Sequence, residues 1–211
     1  MADHLVISLN REYGSGGREL ADILSNRLGM PVHDDDIAGM AAEHSGIRKD
    51  YFEKVDEKPT DSFLYMLAMN TFSVASSLSP FDNTLSSDKL FNQQSEVIRH
   101  LADTEDCIIV GRCGGYILRD YPKCVRIFVC ASEDYRINRV MGYEQVDEKE
   151  ALKSIRQMDR RRDNYFGYYA GEDWKAAGTY DLCVDSSILG LEKAADLICH
   201  YLELRFGSLK G

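Results

Sequence analysis

The segment Leu5–Ala21, LVISLNREYGSGGRELA, constrains this chain more than any other stretch. Its apolar run Leu5–Leu9 reads as a buried strand. A glycine turn, Gly14-Ser-Gly-Gly17, follows, and an amphipathic helix begins at about Arg18. Strand, glycine turn and helix in that order aim backbone N–H groups at an anion placed at the helix N-terminus. Gly14, Gly16 and Gly17 allow positive φ and close backbone approach. The amides of Ser15 to Glu19 are therefore expected to face a phosphate, with the helix dipole adding roughly 0.3–1 kcal/mol for a full charge. The phosphate-loop signature G-x-x-x-x-G-K-[ST] needs a lysine after its last glycine. No lysine precedes Lys49 here, and Arg11 and Arg18 flank the turn instead. A dinucleotide pattern G-x-G-x-x-G fits Gly14 and Gly16 but fails at Glu19.

The strand-like runs that follow are Met30–His33, Cys107–Gly111, Val125–Cys130 and Tyr180–Val184. They are continuously apolar rather than alternating, as strands are when helices cover both faces of a parallel sheet. Helical patterns separate them. Leu20, Ile23, Leu24 and Leu28 repeat at helical spacing up to Gly29, Ile37–His44 looks helical, and Leu191–Arg205 forms a closing amphipathic helix. The expectation is a three-layer α/β fold with a five-stranded parallel sheet. Its core comprises residues 1–44, 105–132 and 179–211. Residues 45–104, interrupted by Pro59, Pro80 and a Ser/Asn-rich patch, are expected to be a helical insertion. Residues 133–178, with two helical stretches, the second bearing the run Arg160-Arg-Arg162, and then Tyr- and Gly-rich sequence, fit the alternation less well.

At 211 residues the chain suits one α/β domain with a small insertion. No apolar run approaches the ~18 residues that span a bilayer, and the N-terminus has no basic, signal-like start. A cytoplasmic location without membrane contact is the expectation. The net charge of −10 argues against a nucleic-acid partner, which calls for basic faces. Six cysteines show neither a C-x-x-C pair nor metal-ligand spacing, and are expected to be buried, reduced thiols.

In sequence order, the strand and turn at Ile7–Glu19, Val32-His-Asp-Asp-Asp36, Ile108-Ile-Val-Gly-Arg-Cys113, Arg126–Ser132 and Met158–Tyr169 resemble the cytidylate-kinase-like family, relatives of bacterial cytidylate kinase among the P-loop nucleoside monophosphate kinases. The resemblance implies a core sheet, a monophosphate-binding insertion and an arginine-bearing lid. It implies that Gly14, Ser15, Gly16 and Gly17 form the phosphate loop. In the family's kinases the loop lysine would fall at Gly17 or Arg18, and the Mg²⁺-binding hydroxyl at Glu19 or close by; this chain has neither. Asp34 matches an aspartate that helps hold the monophosphate, Arg112 an arginine near the substrate phosphate, and Arg160, Arg161 and Arg162 the lid arginines, with Asp159 beside them.

The same residues make physical sense together. Phosphoryl transfer is positioning plus charge neutralisation, and guanidinium groups bind phosphate bidentately while staying protonated. Transfer is therefore assigned to Arg18, Arg112, Arg160 and Arg162. The ATP cradle is assigned to Arg11, Gly14, Ser15, Gly16, Gly17, Arg18 and Glu19, and the acceptor site to Asp34, Asp36, Arg112 and Arg161. ATP and Mg²⁺ are the expected cofactors, with no metal ligand assigned. Three adjacent arginines cannot all share one helix face, so at least one of Arg160–Arg162 is expected to be an ordinary surface residue. One of Asp34–Asp36 caps a helix while another points into the site. His33 reads as a core or turn residue. Arg136 and Arg139 serve the site or pair with local acids. The Tyr165–Tyr169 stretch and Trp174 read as core or a docking face, with stacking on a base as the alternative. Phe63–Met69 reads as insertion core or a dimer surface, so monomer and homodimer both stay open. The leading function is a kinase acting on a phosphorylated acceptor such as CMP or dCMP. The alternatives are a kinase of a non-nucleotide small molecule and a nucleotide-binding regulatory module without turnover.

Overall fold

A computed structural model describes residues 4–45 and 87–208. The chain divides into two compact units, residues 1–34 with 98–211, and residues 35–97.

The first unit is built on a five-stranded sheet in the order β2-β3-β1-β4-β5. Its strands are β1 (Val6–Arg11), β2 (Val32–His33), β3 (Cys107–Val110), β4 (Cys124–Cys130) and β5 (Leu182–Asp185). All four pairings are parallel. β1 lies at the centre, and the chain leaves it toward β2 on one side while β4 and β5 extend the other. That reversal of direction opens a crevice at the carboxyl end of β1, where open parallel sheets bind ligands.

β1 runs two residues past the apolar stretch that announces it. Asn10 pairs with Phe128 and Arg11 with Val129, because the ladder to β4 continues after the apolar run stops. β2 is shorter than expected. Pro31 has no N–H to give and contributes only its carbonyl, which accepts from the Ile108 amide at 2.8 Å.

One sheet face carries Ile7, Leu9, Ile108, Val110, Ile127, Val129 and Val184. It packs on Leu20, Ala21 and Leu24 of α1 (Gly17–Leu28) and on Ala194, Ala195, Ile198 and Leu202 of the closing helix Ser186–Phe206. Gly190, at φ 72° and ψ 163°, breaks that closing helix just before the regular stretch the sequence pattern announces. On the opposite face Phe128 packs edge-on against Trp174 at 5.4 Å and, at a tilt of 34°, against Tyr180 at 4.9 Å. Trp174 is thus core, 1% exposed, rather than a base-stacking surface.

The second unit contains α2 (Asp36–Ser45) and the first half of α3 (Ser87–Thr104). Along α3, Leu90, Gln94, Val97 and Leu101 are buried at helical spacing. Most of the expected insertion, including Phe63–Met69 and the serine patch up to Ser86, lies outside the described residues. After β3 come a single-turn helix α4 (Gly114–Ile117), then α5 (Glu133–Glu144) and α6 (Glu148–Ala170). Ser132 caps α5 by accepting from the Tyr135 amide, Asp147 caps α6 by accepting from the Glu150 amide, and α6 ends on Gly171 at φ 68°.

Five of the six cysteines are buried or half-buried, but Cys183 is exposed. It stands on β5, the edge strand of the sheet among the described residues. All six are free thiols.

Candidate active site

The glycine turn is closed on one carbonyl. Both the amide of Ser15 (3.2 Å) and its hydroxyl (2.8 Å) donate to the Glu12 carbonyl, and the Ser15 carbonyl accepts from Ser186 Oγ at 2.6 Å. Ser15 is fully buried. Its side chain and amide hold the loop together, which corrects the expectation that the Ser15 amide faces a ligand. The helix-start amides lie beyond it. Gly16, the N-cap of α1, adopts the left-handed conformation (φ 80°). The next amides, Gly17, Arg18 and Glu19, form the first helical turn, whose N–H groups have no intrahelical partner.

Neighbouring chain segments crowd the turn at its glycines. A Cβ on Gly14 would lie 2.9 Å from the Arg136 carbonyl oxygen, and one on Gly16 2.8 Å from Leu191 Cδ2. At Gly17 it would lie 2.4 Å from the Cβ of Arg11.

Over the turn opens a cavity of about 250 Å³. Four arginines line it, Arg11, Arg18, Arg139 and Arg162, together with Glu12, Glu19, Tyr13, Tyr143 and the glycines. Each arginine comes from a different segment: the end of β1, the start of α1, α5 and α6. Arg139 Nη2 donates to Glu19 Oε1 at 2.6 Å, while its buried Nε has no hydrogen-bond partner among the described residues. Arg162 Nη1 donates to the Arg11 carbonyl at 2.9 Å, and its guanidinium lies over the Tyr13 ring at 5.7 Å.

Asp34, directly after β2, gathers three arginines. Arg18 Nη1 donates to its Oδ2 at 2.8 Å, Arg11 Nη2 lies 3.7 Å from its Oδ1, and Arg112 Nε donates to its carbonyl at 2.7 Å. The hydrogen bond to Asp34 raises the Arg18 pKa further, outweighing partial burial. Arg112 is 3% exposed and adopts a left-handed φ of 53°. It fixes the Asp34 backbone rather than lining the cavity. Asp36 opens α2 in the second unit and is exposed. His33 is buried and lies 3.1 Å from Glu105 Oε1, as befits a core histidine.

Of the arginine run, Arg162 lines the cavity, Arg161 is half-buried and Arg160 is exposed. Helix geometry explains the split. Asp159 and Arg162 are three residues apart and share one face of α6, whereas Arg160 is turned away from it.

A charge cluster under the turn, buried except for Lys175, has little sequence signal. Glu12 Oε1 is bound by Lys175 Nζ at 2.5 Å, and its Oε2 accepts from the Ala131 amide at 3.2 Å and lies 3.7 Å from Arg136 Nε. Asp159 accepts from the Tyr13 amide (2.8 Å) and from Arg136 Nη1 (2.6 Å), and lies 3.7 Å from Lys175 Nζ. Tyr13 also donates its hydroxyl to Glu144. Burial, and then that hydrogen bond, pushes the Tyr13 phenol well above its ordinary value, so it stays a donor. Lys175 follows α6 as an isolated lysine in an irregular loop, and neither periodicity nor motif marks it.

The donor set answers what the site can hold. Glycine-turn amides, four arginines and an orphaned Arg139 Nε suit a polyanion. A protein-bound Mg²⁺ is not matched. Glu12, Glu19 and Asp34 are each ion-paired to a cation, the Ser15 hydroxyl is spent, and no group of three or more His, Cys, Asp or Glu among the described residues could hold a metal ion.

The sequence model of the cytidylate kinase-like family matches residues 6–188. A cytidylate kinase of Pyrobaculum neutrophilum is 29% identical over 110 residues, covering 50% of this chain and 59% of that protein. A cytidylate kinase of Sulfolobus acidocaldarius is 26% identical over 103 residues, covering 49% and 56%. The chain thus spans less than two thirds of the length of these relatives. Among solved structures, an uncharacterized protein from Eubacterium ventriosum superposes with a TM-score of 0.69 at 25% identity, covering 95% of this chain and 99% of that one. A shikimate kinase from Bacteroides thetaiotaomicron matches with a TM-score of 0.52 at 12% identity over 94% and 98% of the two chains, a likeness of fold.

Proposed function

This chain belongs to the cytidylate kinase-like family, and we propose that it is a phosphotransferase that moves the γ-phosphate of ATP to a small phosphorylated acceptor, CMP or dCMP. The observation that carries the reading is the cavity over the Gly14–Glu19 turn, where helix-start amides and four arginines from four segments converge on a space of about 250 Å³. The names of the two cytidylate kinase relatives support the acceptor. With a net charge of −10, the partner is a small molecule rather than a nucleic acid. No helix among the described residues is long and apolar enough to cross a membrane, in keeping with work in the cytoplasm.

In this reading an acceptor phosphate oxygen attacks the γ-phosphorus in line. The bond to the β–γ bridging oxygen breaks, and ADP leaves with that electron pair. The acceptor is already an anion, so no base has to take a proton. Arg139 and Arg162 neutralise charge on the moving group, the amides of Gly17–Glu19 hold the donor phosphates, and the buried Arg112 holds Asp34 in place for the acceptor. Arg161 and Arg160, away from the cavity lining, would join only through a movement of α6. Magnesium arriving with the nucleotide would be held by phosphate oxygens and water, and no step is routed through it.

One observation favours a second reading, a nucleotide-binding module without turnover. Position 17 is glycine and the Ser15 hydroxyl is committed to Glu12. A coupled ADP-release assay over CMP, dCMP, other nucleoside monophosphates and phosphorylated sugars separates the readings. Turnover with CMP or dCMP is expected. Turnover with a non-nucleotide alone would move the acceptor, and ATP binding with no ADP release from any acceptor would sink the kinase reading.

A further inference from the structure

The signature G-x-x-x-x-G-K places glycine and lysine six positions apart. Set on Gly16 as its last glycine, it puts the lysine at position 17 and the first glycine at position 11. This chain has the reverse, Arg11 and Gly17. The structure shows why the two changes belong together. A Cβ on Gly17 would lie 2.4 Å from Arg11 Cβ and 2.9 Å from Arg11 Cγ. These atoms are the root of the arginine, and they cannot swing aside because Arg11 is fixed in the ladder opposite Val129. Any side chain at 17 excludes the Arg11 stem, and the Arg11 stem excludes any side chain at 17.

We propose that Arg11 and Gly17 are a reciprocal exchange: Arg11 takes both the space and the charge of the loop lysine, and its guanidinium binds the β- and γ-phosphates of a nucleoside triphosphate. The inference rests on the triphosphate seat described above. The Arg11 side chain is 9% exposed and lines the cavity. Its Nη2 stands 3.7 Å from Asp34 Oδ1, an ion pair that orients the guanidinium. Arg18, the other flanking cation, is placed differently. It is 51% exposed, hydrogen-bonded to Asp34 at 2.8 Å, and 3.6 Å from Asp22.

The test measures binding of a fluorescent ATP analogue and of inorganic tripolyphosphate to wild type, Arg11→Gln, Gly17→Lys, Arg11→Gly/Gly17→Lys and Arg18→Ala, with a thermal melt for each. Arg11→Gln keeps the shape of the stem and should weaken both ligands by about tenfold or more with little change in melting, the scale of a lost charged hydrogen bond. Gly17→Lys alone should bind poorly or melt early. The double exchange, which restores the signature, should recover most of the lost affinity, a rescue that a merely structural Arg11 would not show. Arg18→Ala should lose clearly less than Arg11→Gln. If wild type binds both ligands and Arg11→Gln binds them equally well, or a folded double variant binds no better than Arg11→Gln, the exchange is overturned and the triphosphate seat stands. If wild type binds neither ligand, seat and exchange fall together.

Discussion

Arg136 Nη1 donates to Asp159 Oδ2 at 2.6 Å, and both side chains are buried where α5, α6 and the glycine turn meet. The same carboxylate accepts from the Tyr13 amide, so one aspartate fixes the turn to both helices. Breaking a buried pair from one side leaves an uncompensated charge, at about 3–5 kcal/mol. Asp159→Ala should reach the lower end of that range by urea unfolding, since it strands the Tyr13 amide and leaves Arg136 only the longer contact to Glu12 at 3.7 Å and the Tyr13 carbonyl at 3.4 Å. Arg136→Met/Asp159→Leu removes both charges and should lose distinctly less. Equal losses for the two variants would mean the ion pair does not dominate the effect of the single change.

Gly14 and Gly29 both adopt left-handed φ, 82° and 68°. Any L-residue there meets a backbone strain of roughly 1–2 kcal/mol. Only Gly14 is crowded as well: a Cβ would lie 2.9 Å from the Arg136 carbonyl oxygen and 3.1 Å from Val140, whereas Gly29 has nothing within 4 Å. Gly14→Ala should therefore destabilise by about 1 kcal/mol or more beyond Gly29→Ala. Chemical denaturation of the two variants side by side checks this, and equal losses would show that α5 yields to the added methyl group.

The sheet and the turn were legible because each rests on local chemistry: continuous apolar runs for the strands, and glycines followed by an amphipathic repeat for the turn. Strand ends were not. Asn10 and Arg11 belong to β1 only because β4 offers them partners. The site divides in the same way. Arg11, Arg18, Asp34 and Arg162 stand beside recognisable elements. Arg139 carried only a weak signal, an i, i+3 spacing with Arg136. Lys175 had none, because its role depends on Glu12 being brought to it across 163 residues of chain. Within Arg160–Arg162 the sequence could say that one arginine must face away, but only the seating of Asp159 under the turn decides that Arg160 is turned out.

Thiol chemistry reads out the sheet edge. Burial pushes Cys107, at 0% exposure, and Cys124, at 6%, up to about 12 each. Cys183 on β5 is exposed, with partial burial raising its thiol less. Only thiolate reacts with alkylating agents. Iodoacetamide near about pH 8 should label Cys183 first in the native protein, and Cys107 and Cys124 only after unfolding. Peptide mass spectrometry follows the order. Native labelling of Cys107 ahead of Cys183 would contradict the placement of β3 inside the sheet.

Asp181 anchors the other end of the sheet. It accepts from the Arg126 amide at 2.8 Å and from the Arg126 guanidinium at 3.1 and 3.3 Å, and Arg205 lies 3.5 Å away. Burial alone would raise its pKa, but the Arg126 hydrogen bonds outweigh that and hold it below the ordinary carboxylate value. The folded pKa is thus lower than the unfolded one. The stabilisation is full above the unfolded value of about 3.9 and is lost as pH falls through the folded value, because the unfolded chain then binds more protons. Asp181→Asn should therefore be less stable than wild type at neutral pH, and the gap should close below about pH 4. Urea midpoints at several pH values decide it. A gap that stays constant down to low pH would assign the loss to packing of the new amide rather than to the charge.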